Sequence, residues 1–170
     1  MKKTLAVLIA GAALAGVAQG ALAQTFRNEV SLFGSWEDID EPTKLEQTTL
    51  DLRFGRFVSP QLVGTLGLRR TFFEGGGIEA ASTALMVGAK YYITPPRNQG
   101  LAPFLDAALG VAKTDNGRDN STDFSWEFGG GLSWFFTEAT SFDAALRLFH
   151  TDTDVETKGT RMFVGITTRF

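Results

Sequence analysis

FSWEFGGGLSWFF, residues 124–136, decides the fold. Phe124, Trp126, Phe128, Gly130, Leu132, Trp134 and Phe136 share one parity, and Ser125, Glu127, Gly129, Gly131 and Ser133 share the other. Successive side chains of an extended chain point to opposite faces, so this period of two reads as a strand with one apolar and one polar face. The run is slightly longer than the roughly 9 to 11 residues a tilted strand needs to cross a bilayer.

The same period recurs on both sides of this stretch. Eight runs can be marked, near 25–36, 47–57, 62–72, 82–93, 102–113, 124–136, 141–151 and 160–170. The connections between them alternate in character. VSPQ, TPPRNQG and TEAT are compact, whereas EDIDEPTKLE, FEGGGIEAA, TDNGRDNSTD and DTDVETKG are longer and polar. Long outside and short inside is the order of an up-and-down barrel with both termini on the periplasmic side. No linker, low-complexity tract or composition shift marks a second domain.

MKKTLAVLIAGAALAGVAQGALAQ has the parts of a secretory signal: Lys2 and Lys3, an apolar middle from Leu5 to about Val17, and Ala21-Leu22-Ala23 as the cleavage site. The expected division is a signal peptide over 1–23 and a barrel domain over 24–170, with a cut after Ala18 as the alternative. Without the first 23 residues, 14 basic residues stand against 19 acidic ones, a net charge of −5. That balance argues against a nucleic-acid partner, which would want a basic stripe. The chain has no cysteine, hence no disulfide framework and no lipid-modified Cys. No second apolar stretch is long enough for a membrane helix, so a membrane crossing would be made by strands.

Alternation alone does not separate a membrane barrel from a soluble sheet, since both bury one face. The placement of the aromatics does. On the apolar parity Phe26, Phe54, Tyr91, Trp134, Phe136, Phe142 and Phe170 fall at expected periplasmic ends, and Trp36, Phe72, Phe124 and Trp126 at the opposite ends. Mid-strand positions such as Leu32, Leu52, Leu66, Val87 and Leu109 are aliphatic. Two aromatic belts around an aliphatic band are what a bilayer selects. The other parity carries Arg27, Glu29, Asp51, Arg53, Arg69, Lys90, Asp106, Glu127, Asp143, Arg147, Arg161 and Arg169, interleaved with glycines that leave room for long side chains. Seven of these are basic and five acidic, so an inward-facing set can pair its charges. The expected fold class is all-β, an eight-stranded antiparallel up-and-down transmembrane β-barrel.

VGAKYYI at 87–93, APFLDAALGVA at 102–112 and the terminal GITTRF resemble the OmpA/OmpX-like eight-stranded barrels of the Gram-negative outer membrane, over the whole of residues 24–170. In that family a glycine five residues before a terminal Phe resembles the signal read by the barrel-insertion machinery, and Gly165 and Phe170 match it; Thr168 stands where a larger apolar residue is commoner. The resemblance implies outer-membrane localisation, with outer-membrane lipid and lipopolysaccharide as surroundings, the insertion machinery as a partner during biogenesis, and a monomer. No peptidoglycan-binding domain follows the barrel region, so cell-wall anchoring is not implied.

Candidate chemistry is sparse. Eight strands enclose only enough space for side chains to fill, so the charged parity predicts a closed, salt-bridged core; a narrow porin-like channel is the alternative. The outer loops hold 13 acidic residues against Lys44, Arg118 and Lys158, a net of −10, which reads as a solvated acidic face or as a surface for divalent cations or a basic partner. DNGRDNSTD lacks the glycine and the bidentate Glu of a calcium loop. His150 is the only histidine. Some outer-membrane barrels are lipid A deacylases with an H-x-S pair, but here His150-Thr151-Asp152 follows, with Thr151 or Thr153 as formal substitutes for the serine. No other constellation suggests an enzyme, and the sequence implies no cofactor, catalytic residue or metal ligand.

Overall fold

The computed structural model describes residues 26–39, 45–75, 78–96, 100–115, 120–151 and 157–170. The leader assigned to 1–23 lies outside them, as do Lys44, Arg118 and residues 152–156. Eight strands are present: β1 (Asn28–Ile39), β2 (Leu45–Phe57), β3 (Leu62–Gly75), β4 (Ile78–Tyr92), β5 (Gly100–Asp115), β6 (Asn120–Phe135), β7 (Thr140–Thr151) and β8 (Thr157–Arg169). Each pairs antiparallel with the next, and β8 pairs with β1, so the sheet closes into a barrel. The closing ladder runs from Glu29↔Arg169 to Gly34↔Val164. It is extended past the end of β8 by Phe170, whose N–H donates to the Asn28 carbonyl at 3.0 Å and whose carbonyl accepts from the Asn28 and Arg27 N–H groups at 2.9 and 3.1 Å.

Residue type is sorted inside out relative to a water-soluble protein. Leu66, Val87, Leu109, Phe128, Leu146 and Met162 point away from the barrel and are each half exposed or more. Glu29, Asp51, Arg53, Arg69, Lys90, Asp106, Glu127, Asp143, Arg147, Arg161 and Arg169 point inward and are buried. Charged side chains are almost never fully buried unless paired, and an apolar exterior this continuous needs an apolar surrounding. Both facts follow from the period of two, because a one-residue slip would reverse every strand's faces.

The strands extend beyond the hydrophobic alternation at one end. β3 and β4 continue through Phe73↔Ala80, Glu74↔Glu79 and Gly75↔Ile78, where a long connection was expected over 73–81. β5 and β6 similarly reach Asp115↔Asn120. Backbone pairing does not require an apolar side chain, so the ladder persists in residues whose side chains no longer need an apolar surrounding. Seven of the 13 acidic positions expected in loops, Glu37, Asp38, Glu46, Glu74, Glu79, Asp115 and Asp123, therefore lie on strands, and the other six lie outside the described residues.

Candidate functional site

The lumen is where this chain concentrates its chemistry, and each strand contributes alternate residues to it. Its central layer holds three guanidinium groups and three carboxylates. Arg53 lies 2.6 Å from Asp51 and 3.1 Å from Asp106, and also pairs with Glu127. Arg69 bridges Asp51 at 2.7 Å and Glu127 at 2.5 Å. Arg147 lies 2.8 Å from Asp106, 3.3 Å from Asp51 and 4.0 Å from Glu127. The formal charges of the six cancel, and every carboxylate meets at least two cations. Charges removed from water are tolerable when paired in this way.

A second layer lies toward the end where β8 and β1 close. Lys90 sits between Asp143 at 3.3 Å and Glu29 at 3.6 Å. The Tyr92 hydroxyl donates to Glu29 at 3.0 Å, the Ser141 hydroxyl donates to Asp143 at 2.7 Å, and the Thr167 hydroxyl reaches the second Asp143 oxygen at 2.7 Å. At the end itself Arg169 donates to the Pro96 carbonyl at 3.0 Å and to the Glu138 carbonyl, joining β8 to two turns. Beyond the central layer, at the opposite end, the Arg161 guanidinium lies 4.2 Å from the Phe149 ring centroid. Its cross-strand neighbour is Arg147. Like charges so placed repel, and the aromatic faces draw Arg161 away from that contact.

Arg27 corrects the sequence expectation. It is exposed rather than in the lumen. It stands one residue before β1, at the barrel mouth, and the adjoining interior is occupied by Arg169, which lies 4.9 Å from the Phe26 ring centroid and 4.1 Å from that of Phe135.

The sequence reading missed a set of inward aromatics. Phe33, Tyr92, Phe104, Phe135 and Phe163 are buried, and Phe57 packs against them. Their parity matches the charged residues: Phe33 follows Glu29 and Ser31, and Phe163 follows Arg161, each at steps of two. The signal was legible, but an aromatic in a predicted membrane strand draws the eye outward. These rings separate and clasp the cations. The Arg147 guanidinium lies 4.7 Å from the Phe33 ring centroid and 4.6 Å from that of Phe163, two rings that meet edge to face, and Lys90 lies 4.6 Å from the Tyr92 centroid and 4.5 Å from that of Phe104.

Glycines make the filling possible. Gly131 stands across the ladder from Phe104, and a Cβ there would fall 2.8 Å from the Phe104 ring and 2.1 Å from the Ala144 carbonyl oxygen. Gly165 stands across from Phe33, and its Cβ would fall 2.6 Å from that ring. Gly165 thus has a packing role, whatever part it plays with Phe170 in the insertion signal expected from the sequence.

On the outside, Phe26 is half-buried, while Tyr91, Trp134, Phe136, Phe142 and Phe170 toward the closing end and Trp36 toward the other are exposed. Trp126, expected at that other end, is also exposed but stands within β6, across the ladder from Leu109. His150 also points outward, with its ring 5.6 Å from Trp126. Thr151 takes the opposite parity, and its hydroxyl lies 3.1 Å from that of Ser125 inside the barrel. The histidine and its formal hydroxyl partner are therefore on different faces of β7. Thr153 lies outside the described residues, and among those residues no group of three or more His, Asp or Glu could hold a metal ion.

No protein-family profile and no curated protein matches the chain. Solved structures do. The N-terminal β-barrel domain of Pseudomonas aeruginosa OprF superposes with a TM-score of 0.61 at 19% identity, covering 86% of this chain and 98% of that one. Neisserial surface protein A superposes with a TM-score of 0.59 at 13% identity, covering 85% and 96%. The outer membrane enzyme PagL gives 0.56 at 17% identity, covering 84% and 99%. Together with the strand count, the antiparallel closure and the apolar exterior, these likenesses give the chain the fold of the small eight-stranded outer-membrane β-barrels.

Proposed function

We propose that the protein is a closed outer-membrane barrel with a structural or surface-interaction role, its contacts made from the acidic end of the barrel. The observation that carries this reading is the central layer of the lumen. Three arginines and three carboxylates span the interior, and the Phe33 and Phe163 ring centroids lie 4.7 and 4.6 Å from the Arg147 guanidinium. An ion crossing this layer would have to break several buried ion pairs at once, each costing several kcal/mol, of order 3–5, when one partner is lost. The end opposite the chain terminus supports the second half of the reading, because Glu46 and Glu74 are exposed there and stand next to each other across the β2–β3 ladder. Lipopolysaccharide and outer-membrane lipid are the surroundings, the barrel-insertion machinery is the partner during biogenesis through Gly165 and Phe170, and the protein works as a monomer.

Planar-bilayer recording tests the closed lumen. The expected result is no stable single-channel step from the purified chain. Reproducible steps that vanish when Gly129 is replaced by a bulky residue would overturn it. A lipid-modifying activity has weaker support, because Thr151 faces away from His150. Mass spectrometry of lipid A from cells with and without the protein checks this, and an acyl-chain difference lost in His150→Ala would refute the non-enzymatic reading.

A further inference from the structure

The exterior of β3–β6 is organised in rungs, and one rung changes character abruptly. Leu66, Val87, Leu109 and Trp126 face outward as direct cross-strand neighbours. One step along, Leu68, Leu85, Val111 and Phe124 do the same. All eight are at least 42% exposed, so two complete apolar rungs meet the surroundings. The next rung is Arg70, Thr83, Lys113 and Thr122, again direct neighbours, all outward and all exposed. Four apolar residues give way to two cations and two hydroxyls within a single step of the pleat.

Neither cation forms an ion pair among the described residues. The Arg70 guanidinium lies 5.2 Å from the Phe72 ring centroid, and Lys113 has only threonines beside it on its rung. The two columns are two strand spacings apart, about 10 Å, with Thr83 between them. This is the arrangement a doubly anionic oxygen group wants: positive charge from two sides, one hydroxyl donor between them and a second beside Lys113. The apolar rungs directly beneath require acyl chains at the same place. The molecule that satisfies both demands carries fatty acyl chains and a phosphate together.

We propose that Arg70, Thr83, Lys113 and Thr122 form an outward-facing docking site for the phosphate of an anionic outer-leaflet lipid, whose acyl chains lie on the two apolar rungs below. The site rests on the outer-membrane reading given above. It fixes the depth at which β3–β6 sit, since Arg70 and Lys113 meet the phosphate plane while Leu68, Leu85, Val111 and Phe124 stay in hydrocarbon.

The test uses the chain purified from membranes in mild detergent, titrated with diphosphoryl lipid A or with its dephosphorylated form, and read by native mass spectrometry. Diphosphoryl lipid A is expected to bind in preference to the dephosphorylated form. Removing either cation, in Arg70→Gln or Lys113→Gln, is expected to weaken binding about fivefold, and the double variant by about 25-fold. Arg56→Gln, an exposed cation near the opposite end of β2, is expected to leave it unchanged. Equal binding by wild type and double variant would overturn the site, as would equal binding of both lipids. Free inorganic phosphate competing as well as the lipid would overturn the role of the apolar rungs. Heat-modifiable migration, measured on each sample, separates the two levels: its absence from the wild type refutes the membrane barrel itself, whereas its presence with no lipid preference refutes only this site.

Discussion

Replacing Arg147 with methionine isolates the central charge layer. Methionine keeps most of the aliphatic stem, and the stem has space because Gly129 stands across the ladder, where a Cβ would fall 2.6 Å from the Arg147 Cγ. What is lost is the guanidinium, with its contacts to Asp106 at 2.8 Å and Asp51 at 3.3 Å and its cation–π contacts with Phe33 and Phe163. Three carboxylates then share Arg53 and Arg69, and Asp106 retains only Arg53 at 3.1 Å. An uncompensated buried charge of this kind costs about 3–5 kcal/mol, which shifts the unfolding equilibrium by roughly two to four orders of magnitude. Adding Asp106→Asn removes the excess charge, so the double variant should recover about 2–3 kcal/mol relative to the sum of the single losses. Urea titration in lipid vesicles measures this. Trp36, Trp126 and Trp134 are exposed on the barrel's outside, so their fluorescence reports departure from an apolar surrounding. A loss below about 1 kcal/mol for Arg147→Met, or strict additivity in the double variant, would refute the view that the layer works as one balanced unit.

Two other outcomes follow from the same geometry. Gly131→Ala places a methyl 2.1 Å from the Ala144 carbonyl oxygen and 2.8 Å from the Phe104 ring, so the strands must separate locally; a loss of about 1–3 kcal/mol, read in the same titration, is expected, and an unchanged midpoint would count against the tight filling of the lumen. Deleting Phe170 removes the three backbone hydrogen bonds that finish the β8–β1 closure beyond Arg169, and lower outer-membrane levels on quantitative immunoblotting are expected, with wild-type levels contradicting it.

Particular residues show how much was legible beforehand. Phe124 to Phe136 display their two faces in the chain itself, and the same period located every strand from β1 to β8. Eleven of the inward charges could be named from parity because a strand interior enforces it. Arg27 escaped because it stands one residue before β1, at the barrel mouth, where its side chain is exposed. Phe33, Phe104 and Phe163 escaped for another reason: hydrophobicity assigns an aromatic to the apolar face, while its actual face depends on parity and on what it meets across the lumen. The strand ends were also invisible, since the Glu74↔Glu79 ladder continues in residues that carry no hydrophobic alternation.

Which residues can lie inside and which outside is written in the chain, because alternation is a local property of an extended backbone. The chain also sets the supply of charge: enough cations and carboxylates on one parity to pair. Which of them do pair depends on how the closed barrel brings its walls together. Arg53 meets Asp51 from its own strand, Asp106 from β5 and Glu127 from β6, and the last two are neighbours only because the sheet curls until opposite walls touch. The outward rung of Arg70, Thr83, Lys113 and Thr122 arises in the same way, from four strands whose registers align residues far apart in the chain. Parity is written locally; register and closure are settled by all the ladders together.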